Sequence, residues 1–185
     1  MTGFHLTPRN ALFLLVAVGG VYTLSSYFYI LPQIGRKSKS DIAQKTQSFD
    51  ELWFGISPSE RQLFYISMII AAIAFCIATG RFMLKITWSQ FPSLCISYCI
   101  FFAGAILWTF SLWWWSFGVY ANLANISVIV ALCLTTLGAA MLVREAWVVH
   151  RDIIATVAMS LVLVHVALFD NGRWAFAFLE SNYKS

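Results

Sequence analysis

Charge is what this sequence has least of. Asp, Glu, Lys and Arg make up 11% of its 185 residues, against roughly a quarter in ordinary soluble domains, and none of the four occurs between Lys85 and Arg144. A soluble core helix rarely runs beyond a few turns without a charge, so this gap argues against a water-soluble fold and fits two bilayer crossings. Also missing are the patterns that carry chemistry. There is no HExxH, no phosphate loop, no nucleophile with a neighbouring base and no pair of acids inside an apolar run, so no enzyme is expected. Nor is there a TVGYG-type filter or an arginine ladder of the voltage-sensor kind. Basic residues give a formal charge of +4 and a pI near 9.0, but they are scattered over loops and form no stripe, which excludes nucleic acid as a partner. Cysteine is scarce, and Cys76, Cys95, Cys99 and Cys133 all fall within apolar stretches, so no disulfide framework is expected.

What is present is apolar: 60% hydrophobic residues and a mean hydropathy of +0.76. The fold class read from this is an all-α integral membrane protein, a five-transmembrane-helix bundle forming a single transmembrane domain over 1–185, multi-pass in a membrane whose identity the sequence leaves open. The helices are expected at about 11–31, 62–80, 91–115, 119–143 and 153–169, with a polar loop over 33–61. The first apolar run ends at Pro32 and carries Tyr22 and Tyr27 to Tyr29, an interfacial anchor that reads as an uncleaved helix rather than a signal peptide. Helix two offers Ala71, Ala72, Ala74 and Ala78, and helix four Gly138-Ala139-Ala140, as small faces for close helix packing. Ser116-Phe117-Gly118 reads as the turn between helices three and four. The Lys and Arg residues of the flanks divide five to seven between the two membrane faces, so no orientation follows. Parity still places the long first loop, the Trp113-Trp114-Trp115 turn and the end of helix five on one face.

Candidate site residues gather toward that face. His165 is the one clearly intramembrane ionisable group, about 18 Å along helix five from Ile153 at the α-helical rise. It reads equally as a functional residue or as a neutral histidine bonded to a neighbouring helix. Asp170 lies just beyond it, as a polar rim or a water boundary. Trp53, Tyr65, Trp108 and Trp114 fall near the same face, as an interfacial belt or, where a ring turns inward, as a platform for a flat apolar ligand. No cofactor and no metal are expected. His150 and His165 lie about 22 Å apart on one helix, too far to serve one iron, and Cys95 with Cys99 share a helix face but read as packing residues.

Taken in order, five helices, a long first loop and Leu63-Phe64-Tyr65-Ile66-Ser67-Met68 followed by Ala71-Ala72 resemble the translocator protein, or tryptophan-rich sensory protein, family. Leu107-Trp108 resembles its third helix, and Leu168-Phe169-Asp170-Asn171 is loosely similar to the end of its fifth. The resemblance implies a pocket under the first loop, with Trp53, Tyr65, Trp108 and His165 near a porphyrin or sterol. The family's tryptophan- and proline-rich run into helix two is reduced here to Trp53 and Pro58. The leading expectation is a non-enzymatic membrane protein that binds a small apolar or amphipathic ligand between its helices. The alternatives are an accessory or structural subunit of a membrane complex, self-associating or packed on other chains through the alanine and glycine faces, and a small channel or transporter using His165.

Overall fold

The structure, a computed structural model, describes residues 6–36, 53, 56–115 and 121–183. Most of the polar loop and the Ser116-Phe117-Gly118 turn lie outside them. The described residues are all-helical, without strands, and include five helices long and apolar enough to cross a membrane. In chain order their α-helical parts are α1 (Pro8–Arg36), α2 (Pro58–Lys85), α3 (Phe91–Trp115), α4 (Ala121–Arg144) and α5 (Ile153–Val164), the last being the first part of a fifth span that runs Ile153–Glu180. A π-helical turn, Glu145–Val149, closes α4, while a longer π-helical stretch, His165–Trp174, carries α5 without a break into α6 (Ala175–Tyr183).

Helix ends differ from the sequence expectation, α1 beginning at Pro8 rather than 11 and α2 running on to Lys85 rather than 80, and three further differences have a visible cause. The backbone of α1 runs through Pro32 to Arg36, since proline removes one hydrogen bond without stopping the helix. α2 starts at Pro58 rather than Gln62, because Ser57 and Glu60 form a reciprocal capping box around a proline at the first helical position. The fifth helix does not stop at Phe169. The polar run Asp170-Asn171-Gly172-Arg173 stays helical because its side chains bond inside the bundle: the Asn171 amide donates to the Leu132 carbonyl at 3.0 Å and to the Thr136 hydroxyl, and Arg173 pairs with Glu60 at 2.9 Å.

The neighbours form a ring in which α3 packs most extensively on α4, α1 on α3, α4 on α5 and α5 on α2, while α1 and α2 touch only slightly. Packing is close where small residues line the helix contacts. A Cβ on Gly104 would fall 2.4 Å from the Thr135 backbone nitrogen, and one on Gly138 2.4 Å from that of Phe101, so both glycines are required where α3 meets α4. On the α2–α5 seam Ala71, Ala74, Ala78, Ala155 and Ala158 are buried. Many bulky side chains also point outward, with Phe28 78%, Tyr29 72% and Ile153 70% exposed.

Two apolar clusters fill the bundle, one at each end. The first joins Phe82, Leu94, Tyr98, Leu142 and Met159. The second joins Ile30, Ile56, Leu112, Trp115, Trp174 and Phe178, which brings together the end of α1, the start of α2, the end of α3 and the end of α5, the grouping that parity requires.

Candidate functional site

α2 and α5 run antiparallel, stitched by polar contacts at three levels. At one end Arg81 and Lys85 reach the same Asp152 carboxylate oxygen at 2.9 and 2.8 Å. At the other, Arg173 holds Glu60. Between them the Ser67 hydroxyl and His165 Nδ1 are hydrogen-bonded at 2.9 Å. His165 is where the π-helical stretch begins. Wider turns of this kind shift the residues that follow around the helix axis and are frequent at functional sites.

The other ring nitrogen of His165, Nε2, lies 3.7 Å from Asp170 Oδ2, beyond hydrogen-bond distance. The pair therefore sits side by side without closing on itself. The His165 side chain is 11% exposed and that of Asp170 32%. His165 and Asp170 belong to the π-helical stretch that packs on α2, beside the seam where α1 and α2 touch only slightly.

Aromatic rings connect the histidine to the start of α2. His165 stacks on Phe169 at 5.9 Å, Phe169 meets Phe64 edge-on at 5.2 Å, and Trp53 meets both Phe64 and Tyr65 edge-on at 5.7 and 5.4 Å. The Arg61 guanidinium lies 5.6 Å over the Trp53 ring. On the α1 side Trp108 packs edge-on against Tyr27 at 5.7 Å and Trp174 at 5.6 Å. Its indole N–H is buried with no hydrogen-bond partner among the described residues.

Of the six residues singled out from sequence, Trp53 and Tyr65 thus join His165 and Asp170 through Phe64 and Phe169. Trp108 flanks Tyr27 across the seam. Trp114 packs, half-buried, against the apolar cluster of Leu112, Trp174 and Phe178. Sequence reasoning did not single out Ser67, Phe64, Phe169 or Tyr27 as parts of the site. A serine within the apolar Leu63–Met68 run was the available signal for the first. Among the described residues no group of three or more His, Cys, Asp or Glu is arranged to hold a metal ion.

Compared with family models, with curated proteins and with solved structures, the chain matches none.

Proposed function

We propose that this chain is a multi-pass integral membrane protein that binds a small apolar or amphipathic ligand in a crevice that opens between α1, α2 and the π-helical stretch after α5. Support for the membrane half of the reading is the outer surface: isoleucine, leucine, valine and phenylalanine stand exposed along the five long apolar helices, while alanine and glycine line the closest helix contacts, a distribution that favours lipid as solvent. The binding half is carried by one observation, the His165–Asp170 pair held 3.7 Å apart and partly accessible in surroundings that are otherwise aromatic. An ionisable pair in an apolar medium costs free energy, and leaving it open is what a binding site requires. A flat ligand with one polar group suits this lining. Its body would lie against Trp53, Tyr65, Phe169 and Trp108, and its hydroxyl or carboxylate would meet His165 and Asp170. Sterols have that form, porphyrins such as protoporphyrin are flat with their carboxylates on one edge, and the resemblance to the translocator protein family leads to the same ligands.

We read the chain as a binding protein rather than an enzyme or an accessory subunit. The small faces that would serve a partner helix are largely consumed inside the bundle, with Ala71, Ala74, Ala78 and Ala139 buried.

Tryptophan fluorescence of the detergent-purified protein, titrated with a porphyrin and with a sterol, tests the reading. Saturable quenching is expected, with the midpoint raised about tenfold in His165→Ala, the loss expected for one polar contact, and less in Trp53→Phe. Flat titrations in all three proteins would overturn the crevice as a site for these ligands.

A further inference from the structure

Away from the crevice, one outer face of the bundle joins an apolar groove to a basic cluster. The groove, about 440 Å³ in volume, runs between α2 and α5. Its walls include Ile73 and Ile77 on one side and Ile153 and Val157 on the other, and its floor is made by Ala74 and Ala158. The floor residues are buried and the wall residues exposed, because alanine lets the two backbones approach while the β-branched side chains stand out on either side. No charge occurs along it.

Its end is different. One turn beyond Ile77 the same stripe of α2 continues with Arg81 and then Lys85, and immediately before Ile153 come Arg151 and Asp152. Arg81 and Lys85 share a single carboxylate oxygen of Asp152 and remain 35% and 42% exposed. Arg151 adds a third cation, exposed, on a backbone held at φ 47°. Three positive charges thus accompany one negative charge at the mouth of a wholly apolar groove, beside the start of α5.

We propose that this face is a binding site for an anionic phospholipid, an acyl chain lying in the groove and the phosphate meeting Arg81, Lys85 and Arg151. Charge complementarity selects the occupant: a zwitterionic lipid offers the same chain but no net charge to the surplus cations. The proposal rests on the membrane half of the function proposed above and is independent of the crevice.

Native mass spectrometry of the detergent-solubilised full chain, given phosphatidylglycerol or phosphatidylcholine of matched acyl chains, tests it. Phosphatidylglycerol is expected to be retained in preference, and Arg151→Gln to weaken that retention about fivefold, the share of one surface cation, without changing phosphatidylcholine. Val157→Trp, which fills the groove from an exposed position, is expected to weaken both lipids, and Val157→Leu neither. Equal retention of the two lipids, or indifference of phosphatidylglycerol to both Arg151→Gln and Val157→Trp, would overturn the proposal and leave the membrane reading intact. A chain that stays in solution without detergent overturns both. Should Val157→Trp lose its helical circular dichroism, the lipid preference and its response to Arg151→Gln decide alone.

Discussion

The two π-helical segments sit beside opposite kinds of polar chemistry. Around Glu145–Val149, at the α4–α5 corner, the acids are buried and engaged. Asp152 accepts from Arg81, Lys85 and, as the cap of α5, from the Ala155 amide at 3.0 Å, and Glu145 accepts from the Ser93 hydroxyl at 3.1 Å. Around His165–Trp174 the acid Asp170 stands beside His165 without a hydrogen bond between them. A buried carboxylate with its partners in place fixes the geometry of a corner, whereas one left open adds little to folding and retains its capacity for another molecule. The contrast assigns stability to the first region and binding to the second, and each half can be broken separately.

The largest effect is expected from Asp152→Ala. It leaves Arg81 and Lys85 repelling each other without their shared anion and removes the cap of α5. The expected loss is about 2–4 kcal/mol, below the range for a fully buried pair because both cations keep a third or more of their side chains exposed. Thermal melts in detergent read it directly. A variant melting with the wild type would mean that the corner is not held by charge.

An intermediate effect is expected from pH at the same corner. His150 is buried against the Phe82 ring at 5.1 Å, and neither ring nitrogen has a hydrogen-bond partner among the described residues. Burial pushes its pKa down, aided by Lys85 and opposed by Glu145 and Asp152. Between that lowered value and the ordinary histidine pKa of about 6.5, the unfolded chain takes up a proton that the folded chain refuses. Stability therefore falls as pH drops through about 6.5 and is fully present above it. Asp152 works in the same direction at lower pH. Burial would raise its pKa, but Lys85, the Ala155 amide and Arg81 outweigh burial and hold it well below the carboxylate range, so its contribution is lost only on strong acidification. His150→Leu should flatten the melting temperature between about pH 7.5 and 5.5. An unchanged slope in that variant would assign the pH dependence to another group.

The sequence made the apolar architecture legible and the polar pairing not. Long uncharged runs identify the helices by length alone, and Ala71, Ala74 and Ala78 recur at the spacing of one helix face, which the structure buries. The Ser57–Glu60 capping box lies within the stretch that reads as polar loop, where Glu60 counts only as a loop charge. Arg81, Lys85 and Asp152 each look like markers of an interface when read singly, and only the antiparallel register of α2 and α5 turns them into one ion cluster. Ser67 meets His165 across 98 positions of sequence, a pairing that no local periodicity encodes. The π-helical stretch is harder still to read, because Asp170-Asn171-Gly172-Arg173 has the composition of a helix end. Its helicity depends on partners in α2 and α4.

Smaller effects sharpen the comparison from the other side. If Asp170 is kept open for binding, Asp170→Asn should not lower the melting temperature as Asp152→Ala does, and should raise stability by about 0.5–1 kcal/mol by removing an acid that nothing in the crevice neutralises. A loss comparable to that of the Asp152 variant would make Asp170 a structural residue and remove it from the site.

The smallest effect is expected at the third level of the α2–α5 seam. Arg173 grips Glu60 through two nitrogens, at 2.9 and 3.3 Å, which by geometry alone resembles the Asp152 cluster. Both side chains, however, are close to two-fifths exposed, at 42% and 38%, so solvent and salt screen the pair. Glu60→Gln keeps the capping box, which glutamine also forms, and removes only the charge. Its melting curve should coincide with that of the wild type within error, as should that of Arg173→Gln. If either variant instead melts as early as Asp152→Ala, exposure is not what separates the ends of the seam, and the division between a structural corner and an open crevice loses its physical basis.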